Sequence, residues 1–192
     1  MTDSHQIVTR APRGLRLRPI TDGDLPFLAE LYASTRREEV AQTPWSDEEK
    51  EQFLRWQFES QHQHYQQYYP SCEFLVVERK GEGEAEAPEA VGRLYVDRWE
   101  KEIRLVDIAL LPDHRGSGLG TALLRELLAE GEARGLPVSI HVEYNNPALR
   151  LYRRLGFQHV DSNGIYYLMR WQPGEGGRQG DDAASMPPGV PS

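Results

Sequence analysis

The 192-residue chain has a single cysteine, Cys72, and that scarcity excludes a disulfide framework. One thiol cannot close an internal bridge, so the fold must rest on a packed core, and a reducing cytoplasm is the expected compartment. Long apolar runs are missing too. No window approaches the roughly 18 residues of a membrane span, and the opening stretch MTDSHQIVTRAPRG has no apolar signal core, so no membrane partner is expected. Basic residues are in deficit: 22 Lys and Arg stand against 30 Asp and Glu, a formal charge of -8. Nucleic-acid binding depends on clustered cations that release counterions, so no nucleic-acid partner is expected. Metal-binding spacings of Cys and His are absent as well. His62 and His64, two apart, fall on different faces of a helix, and no metal is expected.

What is present is the length and apolar content of one globular domain with a real core. Acidic residues gather in SDEEKE (46–51) and ERKGEGEAEAPEA (78–90), which read as solvated surface. The segment GLRLRPI (14–20) alternates Leu15 and Leu17 with arginines, the period of a half-buried strand. A helix is expected from Thr21 onward, with Pro26 tolerated in its first turn and an apolar stripe of Phe27, Leu28, Leu31 and Tyr32. A second helix opens at Ser46 with Glu49 three residues on, the capping-box spacing, and carries Leu54, Phe58, Tyr65 and Tyr69 up to Pro70. The period then changes: 72–79, 90–98 and 102–111 read as three strands. A helix from Leu119 to about Arg134 follows, stopped by Gly135 and Pro137. After it come a strand at 137–143, a short helix at 146–156 and a hairpin turning at Asn163–Gly164. The order β-α-α-β-β-β-α-β-α-β-β is that of one mixed α/β (α+β) sheet domain over residues 14–171. Residues 1–13 are expected to be a flexible N-terminus and 172–192, rich in Pro and Gly, a disordered tail.

Between the third of those strands and its helix lies DIALLPDHRGSGLGTALL, with glycines at 116, 118 and 120. A strand that runs through bare backbone into a helix offers unpaired amides and a positive dipole end to one point, which suits a phosphate. No lysine follows, as a Walker loop requires, and the order differs from a dinucleotide fingerprint; a turn without any ligand is the other reading. RGSGLG matches the R/Q-x-x-G-x-G/A signature of the GNAT superfamily of acyl-CoA N-acyltransferases. About 25 residues on, NNPALRLYRRLGF resembles that superfamily's N-x-x-A-x-x-L-Y-x-x-L-G-F block. The resemblance covers roughly residues 14–171. It implies a mostly antiparallel sheet splayed between its fourth and fifth strands, with acetyl-CoA as co-substrate and its pantetheine arm in the gap. It further implies cofactor contacts from Ile108, Ala109 and Leu110 along the strand, from Arg115, Gly116, Ser117, Gly118, Leu119, Gly120 and Thr121 at the pyrophosphate, and from Asn145 and Ala148 nearby.

Acyl transfer to an amine needs a neutral nucleophile, stabilisation of the oxyanion and a proton for the departing thiolate. Tyr152 is the candidate acid, its alternative being a core residue packed on Leu149 and Leu155. Asp107 falls in the row Ile103, Leu105, Asp107, Ala109, Leu111 on one strand face. A carboxylate there either edges a cleft, holding a substrate ammonium or taking its proton, or pairs with an arginine such as Arg104 or Arg93. Trp45, Trp56, Tyr65 and Trp99 are candidates to line an acceptor pocket, while His62 and Cys72 read as packing residues. The expected function is N-acetylation of a primary amine in a small molecule, peptide or protein, by a monomer or homodimer. The negative charge leans toward cationic acceptors. A non-catalytic CoA-binding module, and an interaction domain that has lost its cofactor site, are the competing readings.

Overall fold

The computed structural model describes residues 8–81 and 87–174. The first strand, β1 (Leu15–Pro19), buries Leu15 and Leu17 and exposes Arg16, as its alternation predicts. The helix expected from Thr21 begins four residues later. A 3-10 turn, Asp22–Asp24, comes first, because the Asp24 carboxylate reaches back to the Thr21 amide (2.8 Å) and hydroxyl (2.9 Å). Helix α1 (Leu25–Ala41) then starts with Pro26 in its first turn, where the missing N–H costs nothing. Helix α2 (Asp47–Tyr68) opens on the predicted capping box: Glu49 N donates to Ser46 Oγ and Ser46 N to Glu49 Oε2. Its acidic first turn complements the dipole.

Strands β2 (Glu73–Arg79), β3 (Glu89–Arg98) and β4 (Ile103–Leu110) follow, then helix α3 (Leu119–Arg134) and strand β5 (Val138–Glu143). Helix α4 (Leu149–Arg154) is shorter than the predicted 146–156, because Asn146 and Pro147 form a turn ahead of it: Asn146 Oδ1 accepts from Ala148 N at 2.8 Å. The chain returns through β6 (Gln158–Asn163) and β7 (Tyr166–Trp171). Among the described residues seven strands lie in the order β1-β2-β3-β4-β5-β7-β6. Every neighbouring pair is antiparallel except β4 and β5. That parallel pair holds for three registers, Ile103 with Val138, Arg104 with Ser139 and Leu105 with Ile140.

Two clusters fill the interior. The larger joins the sheet to α3 and α4 through Leu94, Val96, Ile103, Leu105, Leu127 and Met169, among others. The smaller lies between α1 and α2 around Leu28, Tyr32, Leu54 and Phe58. The β3–β4 ladder corrects one sequence expectation. Asp107 pairs with Tyr95 but Leu105 with Val96, so Val106 is a bulge and the strict alternation of β4 breaks there. Ile103, Leu105 and Ile108 consequently pack into the α3–α4 core, whereas Asp107 turns to the α1–α2 side to meet Arg93. The single row from Ile103 to Leu111 does not form. At the chain ends, Val8 and Thr9 are tied by their amides to the Glu73 carboxylate, and Thr9 is buried. Residues 1–7 and 175–192, and with them most of the expected flexible N-terminus and tail, lie outside the described residues, as do 82–86 of the acidic linker.

Candidate active site

The site begins where β4 and β5 separate. After Leu105 and Ile140 the two strands share no register, and β4 changes from buried at Ile103–Leu105 to half-buried at Val106–Leu110. A backbone edge is thereby freed in mid-sheet. The freed strand is locked from its other side by β3. A Cβ on Gly92 would come within 2.4 Å of the Ala109 carbonyl oxygen, so only glycine allows this close approach.

At the end of β4 a 3-10 turn, Pro112–His114, leads into an exposed loop, Arg115–Gly118. Gly116 and Gly118 have φ of 71° and 88°, in the left-handed region, and no atom of the described residues lies within 4 Å of where a Cβ would stand. Gly118 takes the position ahead of α3 with no side-chain cap. The first main-chain bond into α3 runs from Ala122 N to Gly118 O at 2.9 Å, which leaves the preceding amides of that turn for another acceptor. Ser117 Oγ donates to the His114 carbonyl at 2.6 Å and braces the loop. Arg115 has two local partners: Nε donates to the Leu110 carbonyl at 2.8 Å and Nη2 to Ser34 Oγ of α1 at 2.9 Å. Leu119, Gly120 and Thr121 form the half-buried first turn.

Across the gap, α4 carries Tyr152, which is 3% exposed and packs edge-on against Phe157 with ring centroids 5.6 Å apart. Burial, and after it the Asp107 charge, push its phenol well above the usual 10. Its hydroxyl makes no hydrogen bond to the described residues. Ala148 precedes the helix, half-buried, and its carbonyl accepts from Tyr152 N at 3.0 Å.

Asp107 lies on the other face of the sheet, two residues past the last β4–β5 register. Its Oδ2 accepts from Arg93 Nη2 at 2.6 Å, and the same nitrogen donates to Gln61 Oε1 of α2 at 2.8 Å. Of the two arginines weighed from sequence, Arg93 is therefore the partner; Arg104 instead bonds Glu102 and the His141 ring. Tyr65 adjoins this group edge-on to Tyr95 and is held well above its ordinary value by burial first and Asp107 second. The other aromatic candidates stand apart from it. Trp45 and Trp56 cluster with Phe53, and Trp99 stacks on Tyr69 and under Arg104. His62 stacks on Phe58, and its imidazole is pushed down by burial and then by Arg93. Cys72 has its thiol raised by burial and adjacent carboxylates.

Asn145 lies in a cleft of about 300 Å³ with Arg36, Gln57, Glu143 and Tyr166. There Arg36 of α1 grips both carboxylate oxygens of Glu143 on β5, tying α1 across the opening. This pair, 107 residues apart, left no trace in sequence spacing. Asn146, adjacent to the predicted Asn145, is the residue that organises the start of α4.

Residues 29–157 match the sequence profile described as the acetyltransferase (GNAT) family, two-thirds of the chain. The chain belongs to the acetyltransferase (GNAT) family. Among curated relatives of this GNAT acyltransferase, a Bacillus subtilis (strain 168) protein provisionally assigned as a ribosomal protein bS18-alanine N-acetyltransferase is 28% identical over 173 residues. That match covers 84% of this chain and 93% of the relative. The ribosomal protein bS18-alanine N-acetyltransferase of Haemophilus influenzae is 36% identical over 67 residues, 34% of this chain and 46% of the relative. The mycothiol acetyltransferase of Thermobifida fusca is 40% identical over 80 residues, 41% and 21% respectively. Among solved structures, the PaiA N-acetyltransferase of Thermoplasma acidophilum, in complex with coenzyme A, superposes with a TM-score of 0.59 at 18% identity. It covers 82% of this chain and 98% of that one. An acetyltransferase of Thermus thermophilus gives 0.56 at 20%, covering 85% and 99%. At these identities the structures establish the fold: the splayed seven-stranded sheet is that of the GNAT family.

Proposed function

We propose that the protein transfers an acetyl group from acetyl-CoA to a primary amine, the amine attacking directly in a ternary complex. The observation that carries this reading is the parting of β4 from β5 after Leu105, immediately ahead of a loop of unclaimed amides. The free edge at Ile108, Ala109 and Leu110 suits the amides of a pantetheine arm, and the turn from Gly116 to Thr121 suits a pyrophosphate. Arg115 adds a cation at the loop, and its hold on the Leu110 carbonyl yields where that oxygen is taken by the cofactor. Asn145 and Ala148 flank the gap from the α4 side. Coenzyme A in the Thermoplasma acidophilum structure supports an acyl-CoA, and the bS18-alanine acetyltransferase names support a peptide amine as acceptor.

The chemistry balances on two side chains. As the amine lone pair forms the C–N bond, Asp107 takes up the proton the nitrogen sheds, directly or through water. Tyr152, a phenol and so protonated at neutral pH, donates its proton to the sulfur as the C–S bond breaks. Backbone amides of the freed edge are the available donors for the oxyanion.

Calorimetric titration of the chain with acetyl-CoA, beside Gly118→Trp, tests the cofactor site; thiol release over a panel of amines tests transfer. Micromolar binding lost in the variant, together with turnover of at least one amine, supports the reading. Binding without turnover makes the protein a CoA-binding module, and no binding overturns both.

A further inference from the structure

We propose that Arg93 is a positioning residue for Asp107: it holds one carboxylate oxygen and cancels its charge, so that the pocket selects an amine that is readily neutral, an α-amino group over a lysine side chain or a polyamine. This rests on the acetyl-transfer reading above and adds the acceptor class to it.

Arg93 is built into the sheet. Its side chain is 4% exposed, and its guanidinium lies over the Tyr95 ring at 5.2 Å. Its Nη2 spans Asp107 and Gln61, yet its Nε is buried without a partner among the described residues, as is the neighbouring Tyr95 hydroxyl. Burying a guanidinium with an unmet donor is costly, so packing alone gives no reason for it here. The bulge at Val106 turns Asp107 toward this arginine at the mouth of the splay. Asp107 Oδ2 is occupied; Oδ1 makes no hydrogen bond to the described residues, and the carboxylate keeps 16% exposure. One oxygen is thus fixed and one is offered.

The surrounding groups add no net charge. Around Asp107 stand Tyr65 of α2, Tyr95 of β3 and Tyr152 of α4, and around Arg93 stand also His62 of α2 and Tyr32 of α1, the last beside Arg36. The phenols of Tyr32, Tyr65, Tyr95 and Tyr152 are raised by burial, and the His62 imidazole is lowered by it. Arg36 is matched by Glu143. An ammonium entering a neutral, half-buried pocket loses hydration without a net opposite charge to replace it. A neutral amine donates N–H to Oδ1 and leaves its lone pair for the thioester. With reference pKa values of about 7.7–8.0 and 10.4, about a quarter to two-fifths of an α-amine but only about one lysine amine in a thousand is neutral at pH 7.5. The local pair therefore overrides the cationic preference that the overall charge of -8 suggests.

The test measures kcat/KM from pH 6.5 to 9.5 for a peptide with a free α-amine and for an Nα-blocked lysine peptide, with acetyl-CoA affinity and Tm recorded for every variant. The intact chain should favour the α-amine. Arg93→Met leaves Asp107 uncompensated and should move the ratio at least tenfold toward lysine. Asp107→Asn leaves Arg93 uncompensated and should move it the other way, and Arg93→Lys, which keeps the charge but not the planar Nη2 that joins Asp107 to Gln61, should hold the ratio while kcat falls. If Arg93→Met does not fold, the latter two variants still decide the matter. A lysine preference in the intact chain, or variants that lose kcat/KM equally on both peptides in step with a fall in Tm, overturns the proposal. An intact chain that turns over no amine overturns the transfer reading and this one with it, whereas turnover with an unmoved ratio overturns this one alone.

Discussion

The two faces of the sheet are built by different rules. Toward α3 and α4 the interior is apolar and closed, with Leu94, Val96, Ile103, Leu105, Leu123 and Met169 all at 1% exposure or less. Toward α1 and α2 the sheet presents Arg93, Tyr95 and Asp107, bridged to α2 by Gln61, and the helices keep their own smaller apolar cluster between themselves. The α3–α4 face holds the loop for the invariant half of the proposed reaction, the carrier of the acyl group. In the proposed reaction the α1–α2 face meets the acceptor, and the relatives' names differ on that side: ribosomal protein bS18-alanine, mycothiol and streptothricin acetyltransferases. A dense apolar core tolerates little change, whereas a layer attached by polar bridges can be rebuilt without disturbing the cofactor half.

The sharpest way to break this contrast is by truncation. Leu105→Ala removes a fully buried side chain at the last β4–β5 register and should cost ~4 kcal/mol, near the upper range for such cavities. Leu54→Ala in the α1–α2 cluster, 7% exposed, should cost ~2 kcal/mol, since that smaller cluster can collapse around the loss. Urea unfolding compares the two, and equal costs would mean that the layers are equally dense.

Next in size is an effect on rate alone. Tyr152 has its ring in the α3–α4 core and its hydroxyl without a partner among the described residues, so Tyr152→Phe keeps the packing and removes the proposed proton donor. A thiolate of pKa near 8.5 is a fair leaving group unaided, so kcat should fall about 10²-fold, the low end of acid–base effects. Acetyl-CoA affinity and Tm should stay within a factor of two and a few degrees. An unchanged kcat would return Tyr152 to the role of a core tyrosine.

Legibility in the sequence divides along the same line. Strands and helices of the α3–α4 half were readable because apolar period and glycine punctuation are local: Leu119 to Arg134 with Gly135 behind it states its own boundaries. The capping box at Ser46 was equally plain. Asp107 stands out in the sequence but its face does not, because the bulge at Val106 is created by the register of the partner strand and leaves no mark in the local pattern. Arg93 was only one of two possible partners until the ladder set it opposite Ala109, and Arg36 with Glu143 was invisible. Asn145 is the asparagine that the block's spacing selects, three residues ahead of Ala148, whereas the turn made by its neighbour Asn146 is set by local geometry that the motif does not state.

The smallest expected effect tests how the α1–α2 layer is fastened to the sheet. Arg18 of β1 grips both oxygens of Asp24, in the turn that starts α1, at 2.7 Å each, and its Nε reaches Glu78 of β2 at 2.6 Å. The Arg18 hydrogen bonds, assisted by those from Thr21, hold the Asp24 carboxyl well below its ordinary value. A carboxylate whose pKa is depressed on folding adds stability that is complete above the unfolded pKa, about 3.9, and is lost as pH falls toward the folded one. Asp24→Asn keeps the shape and an acceptor for Thr21 but abolishes the charge. At pH 7 it should lower stability by ~1 kcal/mol, as for a well-formed ion pair near the surface. Between pH 7 and 5 the gap from the parent should stay flat, and below about pH 4 it should narrow progressively, as Asp24 protonates first in the unfolded parent chain and only at lower pH in the folded one. Urea midpoints of both proteins at pH 7, 5 and 3 measure it. A gap that persists undiminished at pH 3 would mean that shape, rather than charge, joins α1 to the sheet, and the α1–α2 side would then resemble the α3–α4 side more than its ion pairs suggest.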